Sequence, residues 1–498
     1  MSEVQTTEAN SKTQILKSTA VFGSAQIIIV LVGIFRTKIL AILLGPIGVG
    51  ISGLYQSVLD LFKTASGLGL GYSGVRDIAE ASATKNNNRI SVVILTLRRW
   101  LLFTGLIAAL LTIIFSNQIS LSTFGDTTHA AGFALLSVTL LLSAFTTSQS
   151  AILQGFRRIT DMAKSIIVAA IGGLVASAFI FYFLGIRGIV LAIIVTTVIE
   201  LIITWFYSAK IKIDKTTLSI TKTFAEGKAM VKLGFFMTVS LLASTASLYF
   251  VRSFIAHQAG LNTVGYFIAA WTISSIYISA IFNAMAADYF PRLSAVQKDP
   301  FAIKRMVNDQ TDIALLLTVP LIIAMICFID WLVPLFYSRA FNKTAAILTW
   351  QLAGDFFKVL SWPLGFILLA KGKGMIFLFT EITWNVLFCS LCYLGWHLLG
   401  IEVTGVAFLV AYFIYLVTIY VIVGRLVHFQ WSQRVWKAIV FFSPLLLMSC
   451  LNARFVDGGI KYLFAVVLTL VAFVYSYVQL QNVIDLKAIR RNVLKKVF

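Results

Sequence analysis

Charged residues are scarce in this sequence. Only 12% of its 498 residues are Asp, Glu, Lys or Arg, whereas soluble globular domains carry about 25%. Proline is also rare, with 7 residues, while 59% of the residues are apolar and the mean hydropathy is +0.92. This composition excludes a soluble enzyme, a disordered chain and a fibrous protein, and it indicates a helical membrane protein.

Cysteine and histidine are equally scarce, with 4 residues of each. Cys389 and Cys392 have the spacing of a metal or redox motif, but no histidine or acidic residue accompanies them, so we interpret them as packing residues. No glycine-rich segment is followed by the Lys and the Ser or Thr of a phosphate-binding loop. We therefore expect no metal, no other cofactor and no direct use of ATP.

Long apolar runs are abundant. An α-helix needs about 20 apolar residues to cross about 30 Å of hydrocarbon, and fourteen runs have a suitable length. The second run, at 48–72, is rich in glycine and contains charges, and the thirteenth, at 436–452, is short. The predicted fold is therefore an all-α polytopic membrane protein with about 14 transmembrane helices, and twelve is the alternative count.

The predicted organisation has two lobes of six helices and two additional helices at the C-terminal end. The first apolar run is too long for a signal peptide, so we interpret it as an uncleaved span. No connection exceeds about 20 residues, which leaves no room for a soluble domain. The predicted segments are a cytoplasmic tail (1–17), an N-lobe with spans 1–6 (18–209), a cytoplasmic linker (210–229), a C-lobe with spans 7–12 (230–425), spans 13 and 14 (426–480) and a basic cytoplasmic tail (481–498).

The net charge of +20 follows the predicted membrane topology. Lys and Arg concentrate in the even-numbered connections and in both tails, which the positive-inside rule places in the cytoplasm. The sequence therefore predicts that both termini are cytoplasmic, and it requires no nucleic-acid partner to explain the basicity. The opposite side holds only a short set of cations: Arg187, Arg339, Lys343, Arg454 and Lys461.

The sequence also contains a sparse internal repeat. A constant shift that places Gly45 on Gly260 aligns spans 1–6 with spans 7–12 in the same orientation. Parallel repeats of this kind are one of the known plans of secondary transporters, in which the substrate site lies between the halves near the middle of the membrane. The other matched pairs are Lys17 with Lys232, Ala41 with Ala256, Val49 with Val264, and Gly50 with Gly265.

Several cations lie within the apolar runs. A charge at the bilayer centre costs about 2.5–3.5 kcal/mol on insertion scales, so such residues usually face a bundle interior or a wet cavity. Arg36 and Lys38 in span 1 and Arg252 in span 7 lie at similar depths in the two copies. We interpret them as facing an anionic substrate; the alternative is that their long side chains reach the outer interface.

Acidic residues accompany the cations in other spans. Asp60 and Lys63 in span 2 are spaced i,i+3, as are Asp355 and Lys358 in span 10, so each pair shares one helical face. Each pair is either an internal salt bridge or a bridge that switches when substrate or a proton binds. Glu381 in span 11 has no local partner, which makes it a candidate for proton relay.

Particular stretches of the sequence carry a family resemblance. They are KILAILLGPIGVG at 38–50, Arg252 followed by VGYF from Val264, YFPRLS at 289–294, and WQLAGDFFKV at 350–359 followed by LAKGK from Leu369. With these motifs the chain, over about residues 15–425, resembles Wzx-type O-antigen flippases, and within them the lipid III branch. These flippases form the polysaccharide transport family of the multidrug/oligosaccharidyl-lipid/polysaccharide exporter superfamily.

The resemblance implies two six-helix lobes around a central cavity and alternating access. It implies movement of an undecaprenyl-diphosphate-linked oligosaccharide, such as an O-antigen repeat unit, from the cytoplasmic to the periplasmic leaflet of the bacterial inner membrane. Membrane lipids, and the polymerase and chain-length machinery of the same pathway, are the implied partners. On this resemblance Arg36, Lys38, Arg252 and Lys358 would face the diphosphate, and Lys63 is also predicted to line the substrate cavity. The residues predicted for gating or ion coupling, from their charges within the spans, are Asp60, Asp355 and Glu381.

Two other classes fit the sequence less well. A cation-coupled multidrug antiporter of the same superfamily would be expected to use mainly acidic cavity residues, whereas cations match or exceed acids in these spans. A polymerase or glycosyltransferase would need a sizeable outward loop, which the sequence lacks. We therefore expect a transporter and not an enzyme, with the antiporter as the alternative.

Overall fold

The computed structural model of this chain is entirely helical over the residues it describes. These are residues 2–84, 86–214 and 216–483 for the backbone, and residues 28–481 for the side chains, apart from positions 85, 215, 233, 236, 284 and 287. The side chains of the predicted tail at 1–17, and residues 484–498 of the predicted tail at 481–498, lie outside the described residues.

Fifteen helices follow one another along the described chain. Several begin at a side-chain cap: Asp299 Oδ1 accepts hydrogen bonds from the backbone N–H groups of Phe301 (2.9 Å) and Ala302 (3.2 Å), with Pro300 as the first helical residue. The helices are α1 (Ser2–Gly67), α2 (Leu70–Ala83), α3 (Asn87–Ile114), α4 (Ser116–Phe124), α5 (Ala130–Gly155), α6 (Ile159–Leu184), α7 (Ile189–Ser208), α8 (Ile220–Ala295), α9 (Pro300–Cys327), α10 (Ile329–Phe336), α11 (Thr344–Ala370), α12 (Gly374–Leu399), α13 (Val403–Val427), α14 (Gln433–Phe455) and α15 (Gly458–Val483).

Ten helical segments of the described chain are long and apolar enough to cross a membrane. Four of them contain 40–54 residues, which is enough for two crossings each, since about 20 residues suffice for one. Each of the four also contains a turn near its middle: α1 at Gly45, α8 at Gly260, and the two others at short 3₁₀ turns that begin at Gly185 and Gly400. The all-α polytopic class with about 14 spans is thereby confirmed.

The backbone reproduces the internal repeat. Helices α6 and α12 have 26 residues each, and their bounds differ by the same offset as the sequence matches. Residues in the left-handed region also recur at this offset, at the same turns of the two copies. These pairs are Gly45 (φ 63°) with Gly260 (φ 76°), Arg157 (φ 55°) with Gly372 (φ 67°), and Gly185 (φ 55°) with Gly400 (φ 55°).

The chain forms two compact units. The first unit contains residues 1–268 and 336–338, and the second contains residues 269–335 and 339–498. The first half of α8 therefore packs with the first unit, although the repeat assigns it to the second copy. The core of the first unit includes Tyr55, Phe133 and Phe181. In the second unit, α11 packs on α9 and α13, and the two additional helices α14 and α15 pack on α9.

The connection between the copies is fixed to α3 in the first unit. Arg89 donates to Glu226 Oε1 at 2.7 Å, and the Trp100 indole N–H donates to the backbone oxygen of Thr223 at 3.0 Å. The Phe224 ring packs edge-on against Trp100, with centroids 5.2 Å apart. The hydrogen bond from Arg89 lowers the pKa of Glu226, which lies before the spanning part of α8.

Candidate substrate and ion-coupling sites

A reciprocal glycine contact in the first unit sets how closely α1 approaches the first half of α8. A Cβ added at Gly50 would lie 2.2 Å from the backbone oxygen of Leu261, and one added at Gly265 would lie 2.1 Å from the backbone oxygen of Pro46. Both glycines therefore bring two backbones together, as small residues do between transmembrane helices. The offset of the internal repeat relates Gly50 to Gly265 and Pro46 to Leu261, so the two contacts are equivalent.

Arg252 lies against α1 as a result of this close approach. Its Nη1 donates to Ser57 Oγ at 2.7 Å and reaches the backbone oxygen of Gly53 at 3.4 Å. The side chain is half-buried, and its Nε is buried without a hydrogen-bond partner among the described residues. Asp60 lies within electrostatic range of Arg252 and accepts a hydrogen bond from Gln56 Nε2 at 2.9 Å. We call Gln56, Ser57, Asp60 and Arg252 the first charge cluster.

The other predicted cations of the first unit are not members of this cluster. Arg36 is half-buried and lies within electrostatic range of Glu200 on α7, an intramembrane acid without a local partner in the sequence. Lys38 is also half-buried, while Lys63 is exposed. No ion pair within 4 Å joins Asp60 to Lys63 in the described structure, because Asp60 bonds to Gln56 instead. The expected internal salt bridge of span 2 is therefore not formed in this conformation.

A carboxyl group in the second unit is buried with only one hydrogen-bond donor beside it among the described residues. Asp355 on α11 is completely buried, and its Oδ2 accepts a hydrogen bond from Ser274 Oγ at 2.7 Å. Its Oδ1 has no partner among the described residues. Gln351, one turn earlier on the same face, is also completely buried, and neither atom of its amide has a partner in the described part of the chain. An unpaired buried polar group is costly, so these atoms can accept or donate hydrogen bonds to an ion, a water molecule or a proton carrier that reaches them.

Lys358 and Glu381 complete a group of charges around Asp355. Lys358 is half-buried, lies within electrostatic range of both carboxyl groups, and has its Nζ 5.5 Å from the ring centroid of Tyr412. Glu381 Oε1 accepts a hydrogen bond from the Tyr415 hydroxyl at 2.9 Å. No direct ion pair joins Asp355 to Lys358 within the described ranges. We call Ser274, Gln351, Asp355, Lys358, Glu381 and Tyr415 the second charge cluster.

Sequence reasoning missed the hydroxyl groups that hold these charges. Ser57 lies one turn before Asp60, so a polar stripe in span 2 could have indicated it. Ser274 and Tyr415 gave no such signal, because each contacts a carboxyl group that lies far away in the sequence. Among the described residues, no group of three or more His, Cys, Asp and Glu side chains is arranged to hold a metal ion.

The fold is a duplicated, polytopic helical membrane protein with charges inside its spans. The family of polysaccharide biosynthesis proteins matches residues 39–346, which is more than half of the sequence, and the chain belongs to this family. The family resemblance predicted from the motifs is thereby confirmed.

Two curated relatives carry the names of transport proteins and not of enzymes. The lipid III flippase of Escherichia coli (strain K12) is 23% identical over 359 residues, which cover 70% of this chain and 84% of the relative. A putative O-antigen transporter of Shigella flexneri is 28% identical over 343 residues, which cover 67% of this chain and 79% of the relative.

Solved structures of two membrane transport proteins share the fold. The lipid II flippase MurJ in an inward closed conformation has a TM-score of 0.69 and 14% identity, and the match covers 92% of this chain and 98% of MurJ. An inward-facing multidrug resistance MATE transporter has the same TM-score with 15% identity, covering 82% of this chain and 98% of the transporter. At these identities the likeness establishes the fold and does not choose between a flippase and a drug transporter.

Proposed function

We propose that this protein is a lipid-linked oligosaccharide flippase. Its substrate would be an undecaprenyl-diphosphate-linked repeat unit, moved from the cytoplasmic to the periplasmic leaflet by a site that opens to one side at a time. The observation that carries the proposal is Arg252, a half-buried cation in a spanning segment. The names of the two relatives, a lipid III flippase and an O-antigen transporter, support the same conclusion.

The chemistry of a diphosphate explains why intramembrane cations are needed. Removing phosphate charge from water is costly unless charge-assisted hydrogen bonds replace the lost hydration. One guanidinium nitrogen of Arg252 donates to Ser57 and Gly53, and its Nε has no partner among the described residues. N–H donors of this side chain therefore remain for phosphate oxygens. Arg36, Lys38, Lys63 and Lys358 are the other cations proposed to offset the phosphate charge.

The second charge cluster is the proposed site of ion coupling. A completely buried carboxyl group with a single hydroxyl donor is sensitive to whether a proton or a cation accompanies it. Lys358 lies within reach of both Asp355 and Glu381, so a change at either acid alters the balance of charge around this lysine. Asp60 is proposed to play the corresponding part beside Arg252 in the first unit.

The placement in the cell follows from the same proposal. We assign the protein to the bacterial inner membrane with both termini in the cytoplasm, because the positive-inside rule favours this orientation. The polymerase and the chain-length machinery of the same pathway are the proposed protein partners, since they act on the glycan once it has crossed.

A cation-coupled multidrug antiporter is the second candidate. The acids of the second charge cluster favour it, because a cationic drug would be attracted to Asp355 and Glu381. The cations around Arg252 argue against it, since they would repel the same drug. The two candidates therefore differ in the sign of the charge on the cargo.

Transport of lipid-linked glycan tests the proposal directly. We would measure the glycan in inverted and right-side-out vesicles from cells that lack the protein and from cells in which it is restored. Accumulation on the cytoplasmic face, cleared by the intact protein but not by Arg252→Ala, is the expected result. Arg187→Ala serves as the control, because Arg187 is exposed in a turn. Unchanged glycan together with altered resistance to cationic drugs would favour the antiporter.

A further inference from the structure

A cavity of about 530 Å³ lies in the second unit, between the lobe and the additional helix α14. Its volume is within the range of about 300–1,000 Å³ that is typical of sites for single small ligands. Most of the lining is apolar. Its buried or half-buried apolar side chains include Ala353, Phe356, Phe357, Leu409 and Leu446.

The cavity opens sideways toward the lipid. Leu447 and Phe455 line it, and they are also 61% and 72% exposed on the surface of α14. The exposed surface of a spanning helix faces hydrocarbon, so an occupant that enters past these side chains comes from the bilayer. An occupant that enters by this route is a lipid.

One end of the cavity is charged. Arg454 donates to Glu402 Oε2 at 3.0 Å and lies 5.7 Å from the ring centroid of Trp350, and all three residues line the cavity. Asp330, also at this end, accepts from Lys461 at 2.6 Å. Arg454 is half exposed and uses one nitrogen for Glu402, so its other N–H donors remain for a phosphate group. The rim therefore carries one guanidinium beside two carboxylates, and above an apolar interior it fits an amphiphile whose head has both a phosphate and an ammonium group.

The cavity is separate from the second charge cluster. Trp350, Ala353 and Phe357 line it from one face of α11, at spacings of three and four residues. Asp355 and Lys358 belong to a different face of the same helix, because successive residues are rotated by about 100°. An occupant of the cavity therefore does not contact the charges that we propose for the cargo.

We propose that this cavity binds a resident phospholipid, with its phosphate on Arg454 and one acyl chain between α11, α13 and α14. The site holds one chain of modest volume, and its charged end belongs to the side that the charge distribution predicts to be periplasmic. The bound lipid fills the space between α14 and the lobe, and its zwitterionic head places a phosphate on Arg454 and an ammonium group near Glu402 and Asp330. The proposal does not depend on the identity of the transported cargo.

Retention of lipid tests the site in the full-length protein. Protein purified in detergent and supplied with phosphatidylethanolamine should keep about one phospholipid per chain in native mass spectrometry. Leu447→Trp, which places a ring at the mouth, should reduce this retention about tenfold, and Arg454→Gln should reduce it severalfold. Met448→Trp is the matched control, since Met448 is exposed on the same helix but does not line the cavity.

Cys450 reports where the lipid binds, because its half-buried side chain lines the cavity. In a variant that keeps Cys450 as its single cysteine, phosphatidylethanolamine should slow the reaction with a membrane-permeant maleimide about tenfold. Three results would overturn the proposal. They are equal lipid retention by Leu447→Trp and Met448→Trp, no protection of Cys450, and stronger protection by a polyprenyl phosphate than by the phospholipid, which would assign the cavity to the cargo tail.

Discussion

The two copies of the repeat share their backbone breaks but not their charges. The turns at Gly45 and Gly185 recur in the second copy at Gly260 and Gly400, all with positive φ. The residue that corresponds to Asp355 in the first copy is Leu140, and the residue that corresponds to Arg252 is Thr37. The repeated features are thus those that fold the chain, while the charges are specific to each copy.

The two compact units also differ in their intramembrane charges. The first unit holds Arg36, Lys38, Lys63 and Arg252 against Asp60 and Glu200, whereas the second charge cluster holds Lys358 against Asp355 and Glu381. On the function that we propose, the first unit would bind the anionic cargo, and the second would bind a cation or a proton. We infer that the division of sign between the units reflects a division between binding and coupling, and the following predictions test that division.

The largest effect is expected at Arg252 in the first unit. Arg252→Ala should lower transport of lipid-linked glycan by about tenfold to a hundredfold, because charge-assisted hydrogen bonds to phosphate contribute about 1.5–3 kcal/mol. Arg252→Lys should restore part of the activity, since lysine keeps the charge but lacks the planar fork. The vesicle assay measures both variants, with protein amounts checked by blotting. Normal transport by the Ala variant would contradict a cationic substrate site in the first unit.

A smaller and different effect is expected at Asp355 in the second unit. Asp355→Asn keeps the shape and the oxygen that accepts from Ser274, but it removes the charge. Transport should fall roughly tenfold and lose its response to an imposed ion gradient, while thermal stability should be unchanged or higher, because an uncompensated buried charge is lost. Asp457→Asn, at an exposed position, is the control. A variant that still responds to the gradient would contradict coupling in this unit.

The glycine contact offers a test of the equivalence of the copies. Gly50→Ala and Gly265→Ala should each lower the free energy of unfolding by about 1–3 kcal/mol, since either Cβ would overlap a backbone oxygen. Thermal unfolding in detergent measures the loss. Gly33→Ala is the matched control on α1, because no atom lies within 4 Å of its added Cβ. A neutral effect at only one of the two contact positions would show that the copies do not pack reciprocally.

The smallest effect is expected at the exposed ion pair that fixes the start of α8. The hydrogen bond from Arg89 lowers the pKa of Glu226, so the charged pair stabilises the folded state above the unfolded pKa of about 4.3, and this contribution is lost as the pH falls through the lowered folded value. Glu226→Gln should cost less than about 1 kcal/mol at neutral pH, and the difference from the original protein should vanish in acid.

A looser pair in the second unit is the control for this measurement. Asp309 lies 4.0 Å from Arg305, and both side chains are well exposed, so Asp309→Asn should leave the unfolding temperature unchanged. An equal loss of stability in the two variants would show that the closer geometry of the Arg89 pair does not affect stability.

The sequence was sufficient to predict the fold and to identify which charged residues lie within the spans. Apolar runs of spanning length, with Gly45 and Gly260 between adjacent runs, led to fourteen spans and to the repeat, since these features depend on local chemistry alone. The position of Arg252 could be predicted for the same reason. Its hydrogen bond to Ser57 could not, because it depends on how closely α1 and α8 approach each other.

Pairing within the clusters was the main point at which sequence reasoning failed. The i,i+3 spacing favoured salt bridges between Asp60 and Lys63 and between Asp355 and Lys358, but the acids bond to Gln56 and Ser274 instead. A shared helical face brings two side chains near each other, yet a donor from the same or another helix can compete successfully for the carboxyl oxygen. Spacing alone does not decide that competition.

The glycine contact between α1 and α8 has the form of an isologous interface. Gly50 meets Leu261 while Gly265 meets Pro46, which is the exchange of partners that a two-fold homodimer makes between identical subunits. Here both partners lie on one chain, so their association is intramolecular and does not vary with the amount of protein in the membrane. Because the two halves are separate stretches of one chain, a substitution in one half leaves the sequence of the other unchanged. A symmetric backbone can therefore carry charges of opposite sign in its two halves.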